Sequence, residues 1–174
     1  MSKQIQQPNK LPRRALRSGQ RLSAEDRKAP RVTVEEFTAE IRKTIGTPFH
    51  HCGRVSGPNG GLDCGGMLVV SLQALGFEVH DKSNYGRGDN IADMVSVLQD
   101  NLFSQKKQGE APTAGDVILI RGTGVCFHHL VYLTEDGTIL HSWVASRINR
   151  VVESQMLPEW WNNIHSVWRF EGLQ

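Results

Sequence analysis

The run Gly61-Leu62-Asp63-Cys64-Gly65-Gly66 sets a carboxylate and a thiol among glycines, immediately before an apolar stretch from Met67 to Leu75. A thiol attacks a carbonyl carbon only as the thiolate, and free cysteine ionises well above neutrality. Partial positive charge at a helix N-terminus, or a nearby imidazolium, stabilises that anion. Asp63 is placed to cap a helix over the apolar stretch, which puts Cys64 in its first turn. Gly65 and Gly66 are expected to leave the backbone uncrowded, so that substrate can approach and local N–H groups can face a developing oxyanion. Glycine costs about 1 kcal/mol against alanine inside a helix, so two at a helix start suggest that close approach is needed. Local spacing alone leaves two readings open. Cys64 is a nucleophile, or it is a packed small residue and the glycines merely finish a loop.

A cysteine nucleophile needs a base from elsewhere in the chain. His128 opens a short strand through Leu133, and His141 lies on the next strand. A two-residue turn at Glu135-Asp136 or Asp136-Gly137 would make paired residue numbers sum to an odd total. His128 and His141 would then share one face of the sheet, with His129 on the other. His128 would take the Cys64 proton and later protonate the leaving amine. His141 would fix its tautomer through the other ring nitrogen. His50, His51, His80, His129 and His165 are set aside as polar or neighbouring residues. His50, His51, Cys52, Cys64, Cys126, His128 and His129 could together supply metal ligands. Neither a paired Cys-x-x-Cys nor a His-Glu-x-x-His spacing occurs among them, so no metal is expected.

The elements that must position these groups change period midway. Thr33-Val34-Glu35-Glu36 is a capping box, followed by Val34, Phe37, Ile41 and Ile45 at helical spacing and a stop at Gly46 and Pro48. A Gly-rich loop leads to the helix after Asp63, and a third helix spans Ile91–Leu102 with Asn90 as its cap. Strands follow over Asp116–Arg121, His128–Leu133, Thr138–Trp143, Val144–Val152 and Ser166–Phe170, with a short helix at Trp160–Trp161. Helices first and a mostly antiparallel sheet afterwards give an α+β fold.

At 174 residues, the chain suits one domain with a tail. Residues 1–31 carry nine Lys/Arg against Glu25 and Asp26, whereas residues 32–174 carry eleven against sixteen Asp/Glu. The tail, 1–32, is too poor in apolar residues to bury a core and is expected to be disordered or docked on an acidic partner. The folded domain is placed at 33–174. No stretch is long and apolar enough for a membrane span, and no hydrophobic run follows the basic N-terminus as in a secretory signal. Three cysteines, an odd and sparse set, are read as reduced thiols.

Three blocks together resemble the NlpC/P60 family of papain-like cell-wall peptidases, in the form carried by bacteriophage tails and gene transfer agents. The first is Gly46-Thr47-Pro48-Phe49-His50-His51, leading to Asp63-Cys64-Gly65-Gly66. The second is Ala114-Gly115-Asp116-Val117-Ile118-Leu119, leading to His128-His129-Leu130-Val131-Tyr132-Leu133. The third is Ile139-Leu140-His141, with Trp168-Arg169-Phe170 as the close. The resemblance implies helices packed on an antiparallel sheet, with Cys64 as nucleophile, His128 as base and His141 as the orienting residue. It also implies hydrolysis of peptidoglycan stem peptides without a cofactor, with phage tail or tail-like assembly proteins as partners. Location in a phage tail, or in the bacterial cytoplasm before assembly, follows from the same likeness. Phe49, His50, Asp63 and Gly65 fall at oxyanion or substrate positions. The family commonly has tyrosine where Phe49 stands, and Phe49 has no hydroxyl to donate. Two other functions fit the same likeness: a structural tail protein that keeps the fold with little catalysis, or an acyltransferase or thioesterase.

Overall fold

The capping box at Thr33 is present in the computed structural model, which describes residues 30–82, 84–86, 91–122, 128–145 and 148–174. Thr33 Oγ1 accepts from the Glu36 N–H and the Glu36 carboxylate accepts from the Thr33 N–H, satisfying two donors at the start of α1 (Val34–Arg42). Phe37 and Ile41 of α1 are buried, with the Phe37 ring edge-on to Tyr132. Ile45, expected on the same stripe, lies past the helix end and is 46% exposed. Val32 is buried and bridged to Leu173, so the folded part begins at least one residue before the 32/33 boundary drawn from the sequence. Residues 1–29 and Cys126 lie outside the described residues.

The Gly-rich loop contains a small antiparallel hairpin, β1 (Arg54–Val55) and β2 (Gly61–Leu62), which the sequence reading missed. Strands of two residues are too short to show alternation. Its close backbone contacts require glycine, because a Cβ on Gly60 would lie 2.1 Å from the Val55 carbonyl oxygen. The hairpin leads into α2 (Cys64–Ala74), which is apolar on nearly all sides and buries Met67, Leu68, Val69 and Leu72. Next comes α3 (Ile91–Asp100), which buries Val97 and Leu98. The cap expected at Asn90 lies outside the described residues.

Beyond α3 the chain forms β3 (Phe103–Gln105), β4 (Asp116–Ile120), β5 (His129–Leu133), β6 (Ile139–Ala145), β7 (Ile148–Ser154), the short α4 (Pro158–Trp161) and β8 (Ile164–Phe170). Six strands pair antiparallel in the order β3-β8-β4-β5-β6-β7. The α+β class expected from the sequence is therefore the observed one, with β3 as an unanticipated edge strand.

Alternation divides the sheet into two apolar faces. Val117, Leu119, Leu130, Tyr132, Leu140 and Trp168 pack with Phe37, Met67 and Leu72 of the helices, and Cys64 joins this cluster. Ile118, Ile120, Val131, Leu133 and Ile139 form the opposite face, against Met156, Trp160 and Ile164. Burial on both sides explains why β4 reads as an unbroken apolar run.

The turn between β5 and β6 decides which residues share a face. Thr134 and Thr138 close it, with the Thr134 N–H donating to the Thr138 carbonyl at 2.9 Å. Three residues lie between them, ending at Gly137 with φ +75°. This differs from the expected two-residue turn. The left-handed backbone at Gly137 suits a three-residue loop, in which a type I turn is followed by a glycine. The pairs Tyr132↔Leu140 and Leu133↔Ile139 consequently sum to an even number, and the expected odd register is incorrect.

Candidate active site

Asp63 caps α2 as anticipated, its Oδ1 accepting from the Gly66 N–H at 2.7 Å. Cys64 is the first residue of the helix and its side chain is half-buried. Burial, then the Asp63 charge, push the thiol up to about 12, against a smaller opposing pull from the backbone N–H groups of Leu130, Gly65 and Cys64 itself. The sulfur thus sits at the helix start over the first residues of β5. Beside it is a small cleft of about 20 Å³, lined by Cys64, Gly65, Tyr85, Asp93, Met94, Val97 and Leu130.

The two glycines after Cys64 do different things. A Cβ on Gly66 would lie 2.1 Å from the Gly53 carbonyl oxygen and 2.8 Å from an Arg54 nitrogen. Gly66 is therefore required by the packing of the preceding hairpin against α2, which corrects the expectation that it stands open to substrate. A Cβ on Gly65 would meet the Tyr85 hydroxyl at 3.4 Å, an ordinary contact.

Asp63 is the centre of a dense polar group. Its Oδ2 accepts from the Cys52 N–H at 2.7 Å and from the Tyr85 hydroxyl at 2.5 Å. Its Oδ1 also receives Arg54 Nη1 at 3.2 Å, while Arg54 Nε reaches Asp81 at 2.8 Å. Tyr85 is the functional candidate that the sequence reading missed. It lies in a segment without helical or strand period, and only the three-dimensional approach to Asp63 reveals it. Its carbonyl also lies 2.9 Å from His51 Nε2. Cys52 and Cys64 are both free thiols, and Cys52 adopts φ +57°, uncommon for a residue with a side chain. Among the described residues, ligand atoms of His51, Cys52 and Asp63 lie within 4.8 Å of one another. Both Asp63 oxygens already hold donors, including a guanidinium, so a cation there would have to displace them.

The histidines are arranged differently from the sequence expectation. With the even register, His141 pairs with the column of Val131 and stands on the face opposite Leu130 and Cys64. Its Nδ1 lies 2.9 Å from His129 Nε2, and its Nε2 lies 3.1 Å from Ser154 Oγ. Trp143 and Trp160 pack edge-on or tilted against both rings. The structure brings His141 to His129 and not to His128, because the turn is one residue longer than assumed. Burial holds His129 well below the usual imidazole range, with His141 adding to the effect, and burial brings His141 down to about 4.

His128 precedes β5 by one residue, so strand alternation continued back from Tyr132 and Leu130 assigns it to the face of Cys64. Its Nδ1 accepts the Gly122 N–H at 2.9 Å. Among the described residues no histidine ring is hydrogen-bonded to Cys64. The imidazole close enough to respond to His128 is His165, lowered first by burial and then by Arg121 and His128. Phe49 runs beside β2 through a bridge to Leu62 and is half-buried, while His50 is exposed.

A helix that begins at a half-buried cysteine and packs on an antiparallel sheet gives the chain a papain-like α+β architecture. Residues 46–169 match the NlpC/P60 family, and the chain belongs to that family. No curated protein matches the sequence. Among solved structures, the NlpC/P60 domain of the peptidoglycan hydrolase SagA is similar at TM-score 0.50 and 21% identity, over 78% of this chain and 97% of that one. The P60 domain of an antigen from M. avium subspecies paratuberculosis gives TM-score 0.50 at 18% identity, over 79% of this chain and 93% of that one. A lipoprotein-like NLP/P60 protein of Staphylococcus aureus subsp. aureus Mu50 gives TM-score 0.50 at 18% identity over 88% of this chain, which spans 44% of the staphylococcal protein. Among the described residues no helix is long and apolar enough to cross a membrane.

Proposed function

We propose that the chain is a cysteine peptidase that hydrolyses peptidoglycan stem peptides, with Cys64 as nucleophile and His128 as base. The observation that carries this reading is Cys64 at the capped N-terminus of α2, beside an open cleft, in an NlpC/P60 chain. The SagA domain is described as that of a peptidoglycan hydrolase, which supports the same substrate class. His128 swings its ring from the Gly122 N–H to the sulfur and accepts its proton. The thiolate then attacks the amide carbon, and the N–H groups at the start of α2 face the oxyanion. Protonated His128 passes the proton to the leaving amine. Water, deprotonated by the same imidazole, releases the acid from the thioester. Action from a phage tail or tail-like assembly belongs to the proposal and is supported by the order of the three sequence blocks. Mass spectrometry of muropeptides from purified wall tests it: wild type releases stem fragments and Cys64→Ala does not. Equal release by both overturns it.

A second reading is a structural tail protein that keeps the fold without catalysis. It is favoured by the thiol being pushed up by burial and by Asp63, with no imidazole bonded to it among the described residues, and by Phe49 lacking a hydroxyl.

A further inference from the structure

The most densely bonded group near Cys64 is one that opposes the charge its chemistry needs. Asp63 must sit beside the sulfur to cap α2, yet a bare carboxylate there repels a thiolate. Four donors from outside the helix start converge on it or on its neighbour. These are the Cys52 N–H and Tyr85 hydroxyl on Oδ2, Arg54 Nη1 on Oδ1, and Arg54 Nη2 at 3.4 Å from the Tyr85 hydroxyl oxygen. The Tyr85 ring also walls the cleft, and its hydroxyl lies where a Gly65 Cβ would touch it. One side chain therefore contacts the carboxylate, the residue after the nucleophile and the space that substrate must enter.

We propose that Tyr85 is a positioning residue for Cys64: its hydroxyl, backed by Arg54, holds the Asp63 carboxylate turned to its donors and disperses its charge, so that the cap and a thiolate can coexist one residue apart. The inference deepens the peptidase reading, since it concerns the same sulfur. It has a readout of its own because ionisation of Cys64 can be followed without any wall substrate.

The test is the rate of iodoacetamide alkylation against pH, read by mass spectrometry on the peptide carrying Cys64, which separates it from Cys52 and Cys126. Tyr85→Phe keeps the ring and removes only the hydroxyl. Its alkylation midpoint is expected to rise by about one pH unit, a tenfold loss of reactive thiolate below the midpoint. Arg54→Gln is expected to raise it further, and it decides the matter should Tyr85→Phe fail to give the wild-type near-UV dichroism. A purely structural Tyr85 would lower the unfolding midpoint and leave the alkylation midpoint in place, which overturns the proposal. If wild type releases no muropeptides while Tyr85→Phe still shifts the alkylation midpoint, the peptidase reading fails and the positioning role stands.

Discussion

His129 Nε2 and His141 Nδ1 lie 2.9 Å apart on the sheet face that turns away from Cys64. One ring must donate and the other accept, so the bond is lost when both rings are protonated, and burial in an apolar layer disfavours even the first proton. Two imidazoles boxed by Trp143 and Trp160 therefore make a polar pin within an apolar layer rather than a proton relay to the sulfur.

The pair makes the fold acid-sensitive. Both folded values lie below the ordinary imidazole value, so above it neither state binds the proton and nothing is lost. As pH falls below about 6.5 the unfolded chain takes up protons that the folded one refuses, and stability drops. For His141, lowered to about 4, the loss accumulates between those limits. It reaches roughly 3 kcal/mol, with His129 adding in the same direction. Urea midpoints at pH 7 and pH 5 should separate by more in wild type than in a His129→Phe/His141→Leu double variant.

The catalytic assignment separates the histidines by activity. Cys64→Ala should abolish muropeptide release, and His128→Ala should lower kcat by a factor on the order of 10³. His141→Gln should leave kcat within a few-fold while lowering the unfolding midpoint. Loss of activity in His141→Gln equal to that in His128→Ala, with the fold intact by dichroism, would instead support the orienting role for His141.

Gly65 and Gly66 should respond oppositely to alanine. Gly66→Ala drives a Cβ into the Gly53 carbonyl, and backbone there cannot yield cheaply. A cost of about 3 kcal/mol or more is expected. Gly65→Ala meets the Tyr85 hydroxyl at 3.4 Å and Asp63 Oδ1 at 3.7 Å, both ordinary contacts, and should be tolerated, even stabilising the helix by up to about 1 kcal/mol through propensity. Thermal unfolding of the two variants checks the contrast.

Asp63→Asn keeps an N-cap oxygen and removes the charge that pushes up the Cys64 thiol. The alkylation midpoint of Cys64 should fall by about one pH unit, opposite in sign to Tyr85→Phe. A rise would mean that the carboxylate acts on the sulfur through something other than its charge.

The elements with strong periodicity were readable from sequence because burial imposes their patterns. The capping box at Thr33, the apolar run of α2 and the strands at Asp116, His129 and Ile139 all fell close to their observed places. Cys64 at a helix start followed from Asp63 and the run behind it. Two things were hidden for different reasons. Pairing across a hairpin depends on turn length. Glu135-Asp136-Gly137 marks a turn without saying whether two or three residues lie between the closing pair, so His128, His129 and His141 could not be assigned to faces. Tyr85 and the β1–β2 hairpin were hidden because neither has a period. Tyr85 is placed by its contact with Asp63, and the hairpin by the close approach of Gly53 to Gly66 of α2, neither of which a local pattern encodes.

The left-handed backbone at Gly137 also bears on how relatives of this chain could differ. A strand's faces exchange when one residue is gained or lost in the turn that feeds it. Shortening the Thr134–Thr138 connection by one residue would turn β6 over, delivering His141 to the side of Cys64 and sending Ser142, now hydrogen-bonded to the Leu62 carbonyl, to the aromatic side. The complement of polar groups offered to Cys64 is thus under the control of a loop that touches neither substrate nor sulfur. Indels there, though they look neutral on a surface, are a route by which evolution can rewire the site without replacing a single side chain.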